Sequence, residues 1–114
     1  MIAKELLKGS LKSIILKLLS ENDRMYGYEI TQTVEQLSEG KIKLTFGALY
    51  PILHKLEAEG EVMTETEIVN NRTRVYYKIT KSGISTAKEK VNELEEFINI
   101  IKILIKPNPA LKIC

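Results

Sequence analysis

The 114-residue sequence contains no tryptophan, one cysteine and one histidine. Cys114 alone cannot close an intrachain disulfide, and with His54 it offers too few soft ligands for a structural zinc site. One histidine, and six glycines that form no phosphate-cradling loop, argue against an enzyme. Neither a metal nor an organic cofactor is expected. Glu29 and Glu57 read as solvated helix residues. Long apolar runs are also missing. The nearest, Phe97 to Ile105, is about half of the roughly 18 residues that a membrane span needs, and Lys102 interrupts it. Met1 to Leu7 carries Lys4 and Glu5 and has neither the apolar run nor the cleavage site of a signal peptide. A cytoplasmic protein in a reducing compartment is expected. Strong charge of one sign is absent too. A net charge of +2 is too small to imply a nucleic-acid partner, so that case rests on where the charges lie.

What the sequence does have is clear periodicity, without repeats or a linker. Leu7, Leu11, Ile14, Ile15 and Leu18 recur at helical spacing, predicting a first helix from about Lys4 to Ser20 that Gly9 weakens. After the polar break Glu21 to Arg24, Ile30, Val34 and Leu37 predict a second helix from about Tyr26-Gly27 to Leu37, with Gly40 as its cap. Thr45 is a good N-cap for a third helix ending at Gly60, with Leu49, Ile52, Leu53 and Leu56 as its inner stripe. Pro51 lies inside it and is expected to kink or loosen its first turns. The period then becomes two. Val62, Thr64, Thr66 and Ile68 alternate with Glu61, Met63, Glu65 and Glu67, and Val75, Tyr77 and Ile79 alternate with Arg74, Tyr76 and Lys78. The linking Val69-Asn70-Asn71-Arg72 is rich in turn formers, so the segment reads as a β-hairpin. Thr80 caps a last helix to about Lys106, ended by Pro107 and Pro109.

Helix, helix, helix, hairpin, helix is the plan of a winged helix-turn-helix. The expected fold is mainly α with a small β-hairpin (α+β), plus a long C-terminal dimerisation helix. The expected organisation is a DNA-binding domain over 1–80, a dimerisation helix over 81–106 and a tail over 107–114. In such a fold the third helix enters the major groove and the hairpin loop reaches the flanking backbone. Opposite the Leu49 stripe lie Gly47, Tyr50, Pro51 and His54, with Lys55 to one flank. Gly47 and Pro51 leave room for close approach, whereas Tyr50 and His54 can donate to phosphate or base. Thr45 and Phe46 sit at the helix start, where free amides favour phosphate, and Phe46 suits a thymine methyl. The plainer alternative is that Tyr50 and His54 only cover a solvated face. From Asn70 to Lys81 there are Arg72, Arg74, Lys78 and Lys81 and no acid, while the preceding strand carries Glu61, Glu65 and Glu67. This asymmetry makes Asn70, Asn71, Arg72 and Arg74 DNA-contact candidates, with Lys41 and Lys43 ahead of the third helix. The alternative for Arg74 is a cross-strand pair with Glu65 or Glu67.

On the last helix, Ile84, Ala87, Val91, Leu94, Ile98, Ile101 and Ile105 alternate at spacings of three and four. That is a heptad seam suited to a two-stranded coiled coil. The alternative is packing on its own domain, but a helix of roughly 26 residues spans about 39 Å, more than so small a domain covers. Phe97, Ile100, Ile103 and Leu104 make its far half apolar nearly all round, so it should touch more than one neighbour, with Ile2, Leu6 and Leu7 as candidates.

Five segments resemble the PadR family of bacterial transcription regulators: Leu7-Lys8-Gly9-Ser10-Leu11, Tyr26-Gly27-Tyr28-Glu29-Ile30, Gly47-Ala48-Leu49-Tyr50-Pro51, Leu56-Glu57-Ala58-Glu59-Gly60 and Tyr76 to Gly83. The resemblance spans about Leu7 to Ala87. It implies a winged helix, a homodimer built by the first and last helices, and repression at a palindromic operator in double-stranded DNA. It also makes Pro51 a family feature and supports a DNA role for the Tyr50 face. Two departures stand out: Phe46-Gly47-Ala48 replaces a small polar residue followed by Gly-Thr, and Asn70-Asn71 replaces a glycine pair in the wing. The single last helix matches the short-tailed subgroup. Some relatives bind a small aromatic effector at the dimer interface. Here Phe97 is the only aromatic of the last helix, and no residue supports that partner. The rival function is a winged-helix protein-interaction module that does not touch DNA. Salt dependence separates the two, because phosphate contacts make affinity fall steeply with salt.

Overall fold

The computed structural model describes residues 4–110. Ile2 and Cys114 lie outside them. The first predicted helix is two: α1 (Lys4–Lys8) and α2 (Leu11–Glu21). The break has a local cause. Gly9 is a poor helix former, and the Ser10 amide and hydroxyl both donate to the Leu7 carbonyl, at 3.0 and 2.9 Å, closing a turn there. α2 buries Leu11, Ile15, Leu16, Leu18 and Leu19, and the Asn22 side chain donates to the Leu18 carbonyl at its end (2.8 Å). Directly after the polar break comes an element that the sequence pattern did not predict. β1 (Met25–Tyr26) pairs antiparallel with the second hairpin strand, Met25 opposite Tyr77 and Tyr26 opposite Tyr76.

α3 (Gly27–Leu37) starts with the Glu29 carboxylate accepting from the Tyr26 amide at 3.1 Å. Ile30 and Val34 are buried as expected, but Leu37 is exposed. The chain reverses through Glu39 and Gly40, both at positive φ, and the Gly40 amide bonds back to the Glu35 carbonyl at 2.8 Å. α4 (Phe46–Ala58) begins at Thr45, whose hydroxyl accepts from the Ala48 amide (3.2 Å). Leu49, Leu53 and Leu56 are fully buried and Ile52 packs at their edge. The expected loosening at Pro51 does not occur, since α4 runs through it. The proline ring is exposed, and the carbonyl it leaves unbonded belongs to exposed Gly47.

β2 (Val62–Val69) and β3 (Arg72–Ile79) pair along their whole length. Asn70 and Asn71 have φ of 51° and 62°, the signature of a two-residue type I′ turn. With β1 the hairpin makes a three-stranded sheet ordered β1-β3-β2. Its base is core, with Val62 and Tyr77 buried, but its tip projects: Ile68, on the same face of β2 as Val62, is 77% exposed.

α5 (Lys81–Ile105) is capped by Thr80, whose hydroxyl accepts from the Gly83 amide (3.1 Å) and donates to the Gly60 carbonyl (2.7 Å). Its first turns pack on α2. Ala87, predicted in an intersubunit seam, is 3% exposed and belongs to the protomer's own core. Gly83 is buried there too. Beyond these turns α5 leaves the domain. The radius of gyration is 17.1 Å, against about 13 Å for a compact chain of this length.

A side chain on Gly83 would run into the Glu61 carbonyl and come within 2.6 Å of Ile79 Cγ1, whereas one on Gly9 meets nothing within 4 Å. Gly83→Ala should therefore cost about 1–3 kcal/mol. Gly9→Ala should leave stability unchanged or raise it by up to about 1 kcal/mol. Urea melts of the two variants check this pair of opposite expectations.

Candidate nucleic-acid interface

The outer face of α4 carries a stripe at i, i+4 and i+8: Phe46, Tyr50 and His54. Their rings follow one another at 5.7 and 6.0 Å. Phe46, Gly47, Pro51, His54 and Lys55 are exposed. Tyr50 differs from the expectation of a free outward side chain. It is half-buried, and its hydroxyl rests against Gly27 at the start of α3, where any side chain on Gly27 would displace it. Thr45 and Gly47 stand exposed at the helix start, beside a groove edged by Lys4, Lys8 and Lys43.

Between α4 and the hairpin lies an open cleft of about 810 Å3. Tyr50 and His54 of α4 line it on one side, and Asn70, Arg72, Arg74 and Tyr77 of the hairpin on the other. No acidic residue lines it. Burial lifts the Tyr77 phenol above its usual range, and the nearby Tyr50 and Glu57 add to this, so Tyr77 is neutral at ordinary pH.

The cations of the wing and of the α4 region divide into free and engaged groups. Among the described residues Arg72, Lys41, Lys43 and Lys55 make no ion pair, and all four are exposed. Lys78 is drawn back to Asp23 (3.6 Å) and Glu65 (4.0 Å). Arg74 lies over the Tyr26 ring at 4.1 Å and donates to the Tyr76 hydroxyl at 3.3 Å. That hydrogen bond raises its pKa further above the ordinary guanidinium value. The cross-strand pair weighed for Arg74 does not form. Arg24 instead holds both carboxylates, donating to Glu65 at 3.1 Å and Glu67 at 3.0 Å while stacked 3.8 Å over Tyr76. Partial desolvation works against the Arg24 charge, but these two bonds outweigh it and its pKa is raised. Sequence reading passed over Arg24, which sits in the polar break, and took Tyr26 only as a helix start and motif residue. The signal that could have found them was the acidic excess of β2, which needs a cation from elsewhere. Among the described residues no cluster of His, Cys, Asp and Glu could hold a metal ion, and no helix is long and apolar enough to cross a membrane.

A helix presenting a sparse outer face beside a basic hairpin can be compared with known proteins. The model of the PadR-like family of transcriptional regulators matches residues 15–89. The chain belongs to the PadR-like family of transcriptional regulators. An uncharacterised protein of Lysinibacillus sphaericus is 31% identical over 107 residues, covering 93% of this PadR-like chain and 97% of that protein. Transcriptional regulator Rv3488 of Mycobacterium tuberculosis is 32% identical over 93 residues, covering 82% and 83%. Among solved structures, a transcriptional regulator from Clostridium thermocellum superposes with a TM-score of 0.83 at 29% identity, covering 90% of this chain and 100% of that one. A PadR family regulator from Eggerthella lenta gives 0.76 at 25% identity, covering 91% and 88%. The PadR-like match takes in α4, the whole hairpin and the buried start of α5, and stops before the exposed half of α5.

In this PadR-like regulator the Gly47 position is open: an added side-chain carbon would meet only the Thr45 hydroxyl, at 3.9 Å. Gly47→Ala should melt at or slightly above the parent temperature, by up to about 1 kcal/mol in stability. A clear drop in the thermal melt would mean that Gly47 is packed rather than presented.

Proposed function

We propose that this transcriptional regulator acts by binding double-stranded DNA as a homodimer, as a repressor on a palindromic operator. The observation that carries the reading is the acid-free cleft between α4 and the wing, with Arg72 free at its tip. The outer face of α4 enters the major groove. Gly47 and Pro51 let the helix approach closely, Phe46 meets apolar base edges, and His54 donates to base or phosphate. Tyr50 contributes from the floor, half covered. Asn70, Asn71, Arg72 and Arg74 follow the flanking backbone, and Lys41, Lys43 and the Thr45 end of α4 meet phosphates on the other side. Nothing in this arrangement is suited to bond making or breaking.

The dimer reading rests on the far half of α5, where Phe97, Ile100, Ile103, Leu104 and Ile105 are all more than half exposed. A soluble chain seldom leaves so contiguous an apolar surface uncovered. A groove between α1, α2 and α5, lined by Leu6, Ile14, Leu94, Phe97 and Ile98, suits the same helix of a second copy. The seam is then Ile84, Val91, Leu94, Ile98, Ile101 and Ile105, without Ala87. Leu6 faces outward to the partner, while Leu7 packs on its own core. Two-fold pairing sets two α4 helices for half-sites about 34 Å apart, which is what a palindrome requires.

Light scattering at micromolar concentration should give twice the 13.0 kDa chain mass, and Ile98→Asp should split or unfold the dimer. A monomer mass for the parent contradicts the dimer. For DNA, sequences selected from a random duplex pool should bind with an affinity that falls steeply with salt. Arg72→Ala should lower the log–log salt slope by about one unit for every sequence alike. Gly47→Glu should fold and lose binding, since it sets a carboxylate against phosphate. Failure to select any duplex, or salt-independent binding, would favour the protein-interaction module.

A further inference from the structure

Six side chains form a continuous ladder across the outer face of the small sheet. Arg24 bridges Glu65 and Glu67 on β2 and stacks on Tyr76 of β3. Tyr76 meets Tyr26 of β1 edge-on at 5.5 Å. Arg74 of β3 covers Tyr26 and bonds the Tyr76 hydroxyl. Arg24, just ahead of β1, thus stacks on a tyrosine of β3, and Arg74 of β3 on a tyrosine of β1.

The register makes this more than packing. Glu67 is the direct cross-strand partner of Arg74, and Glu65 that of Tyr76. Facing residues of opposite charge in an antiparallel ladder pair by default. In the simple hairpin, Arg74 would turn to Glu67 and its charge would be spent there. Arg24 prevents this by taking one oxygen of each carboxylate with a separate nitrogen, a fork that the planar guanidinium holds in fixed geometry. Arg74 is left without a carboxylate partner, bonded to the Tyr76 hydroxyl over the Tyr26 ring at the edge of the cleft. Glu65 and Glu67 also lie within a Debye length, about 8 Å at physiological salt, of cations meant for phosphate, so leaving them uncompensated would repel DNA.

We propose that Arg24 is a positioning residue for DNA binding: by occupying Glu65 and Glu67 it releases Arg74 for the phosphate backbone without touching DNA itself. This rests on the DNA-binding reading above. In Arg24→Ala, Glu67 captures Arg74. Affinity for a selected duplex should fall about fivefold at 0.15 M salt and the salt slope should drop by about one contact, although the residue removed makes no contact. Arg24→Lys should lose part of this, because an ammonium keeps neither the rigid fork across the two carboxylates nor the flat stacking on Tyr76. The deciding variant is Arg24→Ala combined with Glu65→Gln and Glu67→Gln. Removing the competing carboxylates should restore both affinity and slope, a rescue that a brace for the fold would not allow. The triple variant also supplies a folded background should Arg24→Ala alone melt early. Unchanged affinity in Arg24→Ala, or no recovery in the triple variant, overturns the role of Arg24 while the parent's own binding stands. Absence of salt-dependent binding by the unmodified protein overturns the DNA reading, and this role with it.

Discussion

Four segments meet at Thr80: the end of α4, the start of β2, the end of β3 and the first turn of α5. The Thr80 hydroxyl takes the Gly83 amide and gives to the Gly60 carbonyl, while the Thr80 amide gives to the Glu61 carbonyl at 3.0 Å. Gly83 lets α5 press onto that same Glu61 carbonyl, closer than any side chain would permit. A short strand cannot be aimed by its own pairing, and a long helix cannot be aimed by its tip. Both are aimed here, at the junction. The angle between α4 and the wing, and hence the cleft, follows from it. So does the direction in which α5 leaves the domain.

Around that junction the charges are sorted by distance from the cleft. Carboxylates of β2 are held on the outer face by Arg24, and Lys78 is held at the base by Asp23. The tip keeps Arg72 unpaired among the described residues. Surface pairs of this kind contribute little to stability, a median of about 0–1 kcal/mol. Their consequence is electrostatic: they decide which side of a thin hairpin is positive. The aromatic residues follow the same division. Tyr76 and Tyr26 serve the outer ladder, Tyr77 the core, and Tyr50 the floor of the cleft.

Much of this was legible in the sequence. Thr45 and Thr80 announce helix starts because a hydroxyl in that place satisfies free amides, and Asn70-Asn71 announces the tight turn because asparagine tolerates positive φ. The inner stripe of α4 and the family motifs were equally plain. What escaped depends on contacts that no local pattern encodes. β1 is two residues long, too short for alternation to register. Arg24 finds its partners 41 and 43 residues away. A helical wheel put Tyr50 outside, but the gap above Gly27 pulls it half inside. A heptad pattern records which face of α5 is apolar and not whose surface covers it, so Ala87 was read into a partner's interface when α2 covers it. The Gly9-Ser10 break was visible only as a weakness, since five well-spaced apolar residues argue for continuity more strongly than one glycine argues against it.

The central claim is that the cleft between α4 and the wing is the surface that meets duplex DNA, and that the far half of α5 serves assembly. Amide hydrogen exchange of the protein, with and without a saturating duplex selected from a random pool, tests this directly. The account predicts slower exchange in residues 46–54 and 69–74 on adding DNA, with residues 97–105 equally protected in both conditions because they are already covered by the partner. Protection gained over 97–105 and α1, with no change in α4 or the hairpin turn, would contradict it.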